Sequence, residues 1–218
     1  MRVKTPATAE LLLVSAAVEI NNGLNEIEFQ FIDIWLKKGK KIRSPDETLE
    51  NNMIVIGDIH GRNSWKIIVQ QHPKDHIVFV GDYFDSKEDF TAQQQIQNFN
   101  EIVALKKANP ERVTLLFGNH DFHYLPAAGE KYSGYQYFFA ADIYDALKPA
   151  LDEKLLKICV QKGKYLISHA GLTNTWCRQN NIPLHNPEEA VNQLFYNKPE
   201  AFRFSAGELD EPTGDEPE

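Results

Sequence analysis

The chain has 218 residues, of which 42% are apolar and 25% charged, and its formal net charge is −8. This composition is typical of a globular protein with one substantial domain. The acidic balance argues against a nucleic-acid surface, because phosphate backbones are bound by clustered Lys and Arg. No apolar run approaches the ~20 residues needed to span a bilayer, and two cysteines are too few for a disulfide framework. We therefore expect a cytoplasmic protein that binds neither nucleic acid nor membrane.

The first fifty residues are expected to form a helical extension. Residues 8–20 favour a helix, and Asn21-Asn22-Gly23 is a typical stop signal. Apolar residues at helical spacing over 24–35 favour a second helix, although the alternation at 28–31 leaves a strand open.

From residue 51 the pattern changes to strands that alternate with helices, which predicts an α/β domain over 51–204. The predicted strands cover 53–56, 77–80, 113–117 and 165–168. The predicted helices cover 63–71, 91–108, 132–148, 152–160 and 187–196. The acidic segment 205–218, rich in Pro and Gly, is expected to be a disordered tail.

Three short blocks place oxygen or imidazole donors close behind a glycine at the end of a predicted strand. They are Gly57-Asp58-Ile59-His60-Gly61, Gly81-Asp82-Tyr83-Phe84-Asp85 and Gly118-Asn119-His120-Asp121. A fourth block, Ser168-His169-Ala170-Gly171, repeats this arrangement. Strand ends in one sheet can converge on a single point, and such mixed donors suit Mn²⁺, Fe or Zn²⁺. The blocks predict a metal-dependent phosphoester hydrolase.

The order of these blocks, over roughly residues 53–176, resembles the calcineurin-like metallophosphoesterase superfamily. It is most similar to the branch that contains the PPP-type protein phosphatases and their bacterial and phage relatives. The resemblance implies a metallophosphoesterase-type β-sandwich flanked by helices, an α/β fold. It also implies two divalent metal ions, Mn²⁺ first and Fe or Zn²⁺ as alternatives, which activate water for attack on a phosphorylated substrate.

The same resemblance assigns a role to each donor. Asp58 and His60 would bind the first ion, Asp82 would bridge both ions, and the second ion would be bound by Asn119 and His169.

The resemblance also implies a catalytic pair beside the metals. His120 matches a histidine that protonates the leaving oxygen, and Asp85 matches the carboxylate that orients it. His123, among aromatic neighbours, is expected to be a supporting or structural residue. The PPP-type branch continues the second block with Asp-Arg-Gly, whereas this chain has Asp85-Ser86-Lys87. Arg62 or Lys87 could take the place of that arginine, and we expect Arg62 to be the substrate-binding cation, because it lies one residue past the first block and has the bidentate fork that Lys lacks.

The sequence departs from the family again after His169. The family supplies a further metal histidine from a downstream Gly-His block, but the only later histidine here is His185, which lacks that context. We expect the chain to be either a fragment without the C-terminal strands, which we favour, or a natural short form with an incomplete second site.

Three functions remain open from the sequence. The first is a phosphatase acting on proteins or small phosphomonoesters. The second is a hydrolase of nucleotides or dinucleoside polyphosphates, with the base stacked in an aromatic pocket formed by Tyr83, Phe84, Phe122, Tyr124 and Tyr132. The third is a non-catalytic module that binds metal or phosphate. The oligomeric state is not predicted.

Overall fold

The computed structural model describes the backbone of residues 17–19 and the whole of residues 53–203. The elements predicted over 24–35 and the acidic tail over 205–218 lie outside the described residues.

A four-stranded parallel sheet forms the centre of the described domain. Its order is β2-β3-β4-β5, and its strands are β2 (Met53–Ile56), β3 (His76–Phe79), β4 (Val113–Leu116) and β5 (Leu156–Lys157). All three pairings are parallel. β4 is fully buried and β3 nearly so, as expected for strands covered on both faces.

A second, antiparallel sheet packs against the first. It has the order β1-β7-β6 and contains β1 (Ala17–Glu19), β6 (Cys159–Lys162) and β7 (Tyr165–Ser168). Val78 and Leu116 of the parallel sheet form one apolar cluster with Val160 and Ile167 of the antiparallel sheet. The two sheets therefore face each other as a sandwich, with an apolar layer between them.

Helices connect the parallel strands and follow the second sheet. The connecting helices are α1 (Trp65–Gln71), α2 (Ala92–Ala108), the one-turn α3 (Asn119–Phe122) and α4 (Ala140–Asp152). The later helices are α5 (Asn174–Gln179) and α6 (Glu188–Asn197), and short 3₁₀ turns cover Tyr137–Phe139 and Pro199–Phe202. Thr91 begins α2 with a capping box to Gln94, the reciprocal arrangement that satisfies free amides at a helix start. No helix within the described ranges is long and apolar enough to cross a membrane.

The predicted α/β fold is confirmed, with helices flanking the sheets. The helix predicted over 152–160 is wrong, because β5 and β6 occupy this segment. Its apolar residues Leu156, Cys159 and Val160 are buried between the layers, so tertiary burial overrides the local helical propensity.

Two other helix predictions need correction. The helix predicted over 132–148 begins in regular form only at residue 140, because Gly134 has a φ of +92° within a loop. Residues 17–19, inside the helix predicted over 8–20, form β1 and pair with β7. Pairing with an available sheet edge again outweighs local periodicity.

Candidate metal centre

Four strand ends meet at the predicted donors. Because β2, β3 and β4 are parallel neighbours, the loops carrying Asp58, Asp82 and Asn119 leave the same edge of the sheet. His169 follows β7 directly and reaches this edge from the second sheet. The structure thus brings all five predicted metal donors together.

The first donor set consists of Asp58, His60 and Asp82, whose ligand atoms lie within 4.8 Å of one another. His60 Nδ1 lies 2.6 Å from the carbonyl oxygen of Phe84. Because a carbonyl can only accept, Nδ1 donates, and in the neutral ring the lone pair lies on Nε2. That Nε2 lies 3.7 Å from Asp82 Oδ2. The first donor set therefore presents two carboxylates and one imidazole nitrogen that the neutral ring offers as a ligand.

The second donor set consists of Asp82, Asn119 and His169. His169 Nδ1 lies 3.3 Å from the carbonyl oxygen of Val80, and in the tautomer that donates to this carbonyl the lone pair lies on Nε2. This Nε2 is 3.1 Å from Asn119 Oδ1 and 3.5 Å from Asp82 Oδ1. In that tautomer, three electron-rich atoms converge at this point. A cation would stabilise such an arrangement.

The backbone is strained at Asp82, the residue that the two donor sets share. Asp82 has a φ of +53°, in the left-handed region, and His60 and Asp85 have φ values of +43° and +60°. Such conformations are uncommon outside glycine and concentrate at functional sites. The adjoining loops are also in close contact, since a Cβ added to Gly118 would lie 2.6 Å from the Asp82 amide nitrogen.

Asp121 holds this strained backbone in place. Its fully buried carboxylate accepts hydrogen bonds from the backbone N–H groups of Asp82 at 2.8 Å, Tyr83 at 2.7 Å and Gly118 at 3.0 Å. Burial and the nearby charge of Asp82 raise the pKa of Asp121 well above its usual value. Asp121 had no assigned role in the sequence, although it is the last residue of the third block.

His120 and Asp85 form a pair beside the donor sets. His120 Nδ1 lies 3.0 Å from Asp85 Oδ2, and the rings of His60 and His120 are 5.3 Å apart. Burial lowers the pKa of His120, but the hydrogen bond to Asp85 and the nearby carboxylates outweigh it, so the pKa is raised. For Asp85, burial raises the pKa, but the hydrogen-bond donors around its carboxylate outweigh burial and bring the pKa below its ordinary value.

Further residues surround the Asp85 carboxylate. The fully buried His123 places Nε2 at 2.7 Å from Asp85 Oδ2, in an approach that does not meet hydrogen-bond geometry. The Tyr124 hydroxyl and the Gln136 side-chain amide both donate to Oδ1. The sequence pattern had indicated only a supporting role for His123 and none of this kind for Tyr124 or Gln136.

The predicted substrate-binding cation is engaged elsewhere in the structure. Arg62 Nε lies 2.6 Å from Glu88 Oε1, and both side chains are about half exposed. A surface pair of this kind is weak, so Arg62 could exchange Glu88 for a phosphate. All seven histidines of the chain fall within 53–203. Three of them lie apart from the donor sets: His72 contacts Asp75, His76 contacts Thr114, and His185 is exposed.

The aromatic pocket proposed for a nucleotide base is wrong. Tyr83 and Phe84 are completely buried, and Phe122 and Tyr124 are buried as well. They pack in the apolar core: Tyr83 and Phe84 follow β3, and Phe122 and Tyr124 follow β4. Tyr132 alone of the five is partly exposed, with its ring 6.0 Å from that of His120.

A two-sheet α/β sandwich that gathers Asp, His and Asn side chains around one carboxylate, beside a His–Asp pair, defines a metallophosphoesterase-type protein. A family profile described as "Calcineurin-like phosphoesterase" matches residues 52–213. The chain therefore belongs to the calcineurin-like phosphoesterase family.

A relative within the PPP-type branch supports the same placement. The Candida albicans (strain SC5314) protein named "Serine/threonine-protein phosphatase PP2A-like PPG1" is 27% identical over 143 residues, which is 61% of this chain and 32% of that protein. The chain thus spans about a third of the length of the curated relative that it matches.

Proposed function

We propose that the chain is a metal-dependent phosphatase that hydrolyses phosphomonoesters. One observation carries the proposal: the two carboxylate oxygens of Asp82 face different imidazole nitrogens. Oδ2 faces His60 Nε2 at 3.7 Å, and Oδ1 faces His169 Nε2 at 3.5 Å. This is the arrangement expected of a carboxylate that bridges two ions.

The donors fit divalent metal ions. Asp58 and His60 would hold the first ion together with Asp82, and Asn119 and His169 would hold the second. In both histidines Nδ1 is anchored by a backbone carbonyl, the supporting contact that orients metal-binding imidazoles. The mixed nitrogen and oxygen donors favour Mn²⁺ as the ion, with Fe or Zn²⁺ as alternatives. Bound ions would supply Lewis-acid stabilisation of phosphoryl oxygens and a water of lowered pKa.

His120 and Asp85 supply the proton chemistry. Asp85 accepts from His120 Nδ1, which leaves Nε2 as the nitrogen that can donate to the leaving-group oxygen. As the P–O bond to the leaving group breaks, that oxygen takes the proton from His120 Nε2, while a water oxygen forms the new P–O bond and releases one proton to solvent. Burial lowers the pKa of His120, but the hydrogen bond to Asp85 and the nearby carboxylates raise it overall, which favours the protonated form that a proton donor needs.

The residues around the metal centre favour phosphomonoesters over nucleotides as substrates. Asp58 is exposed, and four of the five aromatic residues considered for base stacking are buried. The relative's name describes a serine/threonine-protein phosphatase, so phosphorylated protein side chains are the substrate class that we propose, with small phosphomonoesters as simple reporters. The cytoplasmic location stays a prediction.

The test is hydrolysis of p-nitrophenyl phosphate with added Mn²⁺, together with metal titration by calorimetry. We expect turnover and Mn²⁺ binding in the unmodified chain and loss of both in Asp82→Ala. Asp145→Ala, which removes an exposed carboxylate on α4, is the matched control and should behave as the unmodified chain. Metal binding without turnover of any phosphomonoester would instead identify a non-catalytic module. Unchanged metal binding in Asp82→Ala would refute the assignment of the centre.

A further inference from the structure

The Asp85 carboxylate is completely enclosed by polar groups. Its side chain has no exposed surface. Oδ2 faces His120 Nδ1 at 3.0 Å and His123 Nε2 at 2.7 Å. Oδ1 accepts from the Tyr124 hydroxyl and from the Gln136 side-chain amide at 3.3 Å. Each carboxylate oxygen is thus contacted by two side chains, which leaves the carboxylate little freedom to rotate.

Gln136 connects this carboxylate to two other parts of the fold. Its backbone N–H donates to the Tyr124 hydroxyl at 3.0 Å, and its side-chain amide also reaches Gln95 Oε1 at 3.3 Å. Gln95 is buried on α2. Gly134 lets the loop approach this closely, because a Cβ there would lie 3.2 Å from Asp85 Cβ. Segment 131–139 is therefore locked to the catalytic pair through Gln136.

The two histidines that contact Asp85 differ in whether they can donate a proton to a substrate. The Tyr132 backbone N–H donates to His123 Nδ1 at 3.1 Å, so this nitrogen accepts and the proton lies on Nε2, next to Asp85. His123 is completely buried, so neither of its nitrogens can reach a substrate. His120 has only Nδ1 on Asp85, and its side chain is 15% exposed. Only His120 can present a proton outward.

Resting on the proposed function, we propose that Tyr124 and Gln136 are positioning residues for the proton transfer to the leaving group. They fix Asp85, and Asp85 fixes the ring of His120 with Nε2 toward the phosphoester. When the P–O bond breaks, the proton on Nε2 moves to the departing oxygen and the electron pair of that bond remains there. A carboxylate released on its Oδ1 side would rotate and misdirect the ring.

The kinetic test compares two substrates that need this proton to different degrees. Phenyl phosphate expels a more basic oxygen than p-nitrophenyl phosphate does, so its hydrolysis depends more strongly on a proton donor. We expect Tyr124→Phe and Gln136→Leu each to lower kcat for phenyl phosphate about tenfold, part of the ~10²–10⁴-fold attributed to general acids. On p-nitrophenyl phosphate kcat should change little, and KM and Mn²⁺ stoichiometry should be unchanged.

Tyr196→Phe is the matched control, because the Tyr196 hydroxyl donates to the carbonyl of Leu156 at 2.6 Å, in a part of the fold that does not contact Asp85. It should leave the ratio of the two kcat values unaltered. An equal fall on both substrates in Tyr124→Phe and Gln136→Leu, or no fall on either, would overturn the positioning role.

A second readout does not depend on activity. In protein labelled with ¹⁵N-histidine, the Nδ1–H signal of His120, assigned by its loss in His120→Asn, reports the bond to Asp85 directly. We expect this signal to shift in Tyr124→Phe and Gln136→Leu but not in Tyr196→Phe, and an unmoved signal would contradict the proposal. If the unmodified chain hydrolysed neither substrate, the proposed function would fail while this measurement still decided the positioning role.

Discussion

Replacing Asp121 by Asn should destabilise the fold and weaken metal binding together. The carboxylate accepts three backbone N–H groups, two on Oδ2 and one on Oδ1. An Asn side chain has one oxygen, so its amide nitrogen must face either the Tyr83 N–H alone or the N–H groups of Asp82 and Gly118. This holds whether or not Asp121 is ionised, because a protonated carboxyl oxygen can still accept whereas an amide nitrogen cannot.

The expected loss of stability is estimated from the milder alternative, in which only the Tyr83 N–H loses its acceptor. One buried N–H without an acceptor costs about 1–3 kcal/mol, so we expect a loss of about 2 kcal/mol in the free energy of unfolding. For a chain of this size that corresponds to a fall in Tm of about 4–8 °C. The backbone that follows Asp82, no longer held at the Tyr83 amide, should also let Asp82 relax from its φ of +53° and move its carboxylate away from both donor sets.

Thermal unfolding followed by circular dichroism and Mn²⁺ titration by calorimetry measure the two effects. Asp145→Asn makes the same chemical change at an exposed position of α4, away from the Asp121 hydrogen bonds. It should change neither the Tm nor the Mn²⁺ affinity. A Tm for Asp121→Asn equal to that of this control would refute the hydrogen-bond reasoning. A lowered Tm with unchanged Mn²⁺ affinity would refute the link between Asp121 and the metal centre.

Three further predictions concern other parts of the structure. Gly118→Ala should abolish high-affinity Mn²⁺ binding in calorimetry, because the added Cβ would lie 2.6 Å from the Asp82 amide nitrogen. Burial raises the pKa of the Cys159 thiol to about 12 and that of Cys177 to about 11, so neither should react with Ellman's reagent at pH 8 until guanidinium unfolds the chain. Burial and, to a smaller extent, nearby Lys charges lower the pKa of His76 from its ordinary value of 6.5. The folded state therefore favours the neutral imidazole, so the free energy of unfolding should decrease as the pH falls below 6.5. His76→Gln should show a smaller drop in urea midpoint between pH 7.5 and 5.5, and an equal drop would contradict the assignment.

The parts of the fold that could be predicted are those whose signal is local. Apolar runs bounded by glycine marked β2, β3, β4 and β7, and Thr91 with Gln94 marked the start of α2 through its capping box. The five donors and the His120–Asp85 pair were placed by blocks that each lie within five consecutive residues. The donors that follow β2, β3 and β4 converge because parallel strands end at one edge, and His169 reaches this edge from β7 of the second sheet.

The parts that could not be predicted depend on partners distant in the chain. β5 and β6 carry polar and apolar residues in an order that also suits a helix, and only burial between the two sheets decides for strands. Asp121 looks locally like an acidic residue in a first helical turn, whereas two of its three donors lie 38 and 39 residues earlier. Gln136 reaches Asp85 across 51 residues, and no spacing rule connects them.

The left-handed backbone at His60, Asp82 and Asp85 has a consequence for how this chain can change. Each such conformation costs an L-residue about 1 kcal/mol or more, whereas glycine adopts it without steric penalty. A library screened only for heat resistance would therefore tend to accumulate glycine at the positions where the proposed chemistry needs an imidazole or a carboxylate. On the proposed function, these three side chains are kept at a cost in stability.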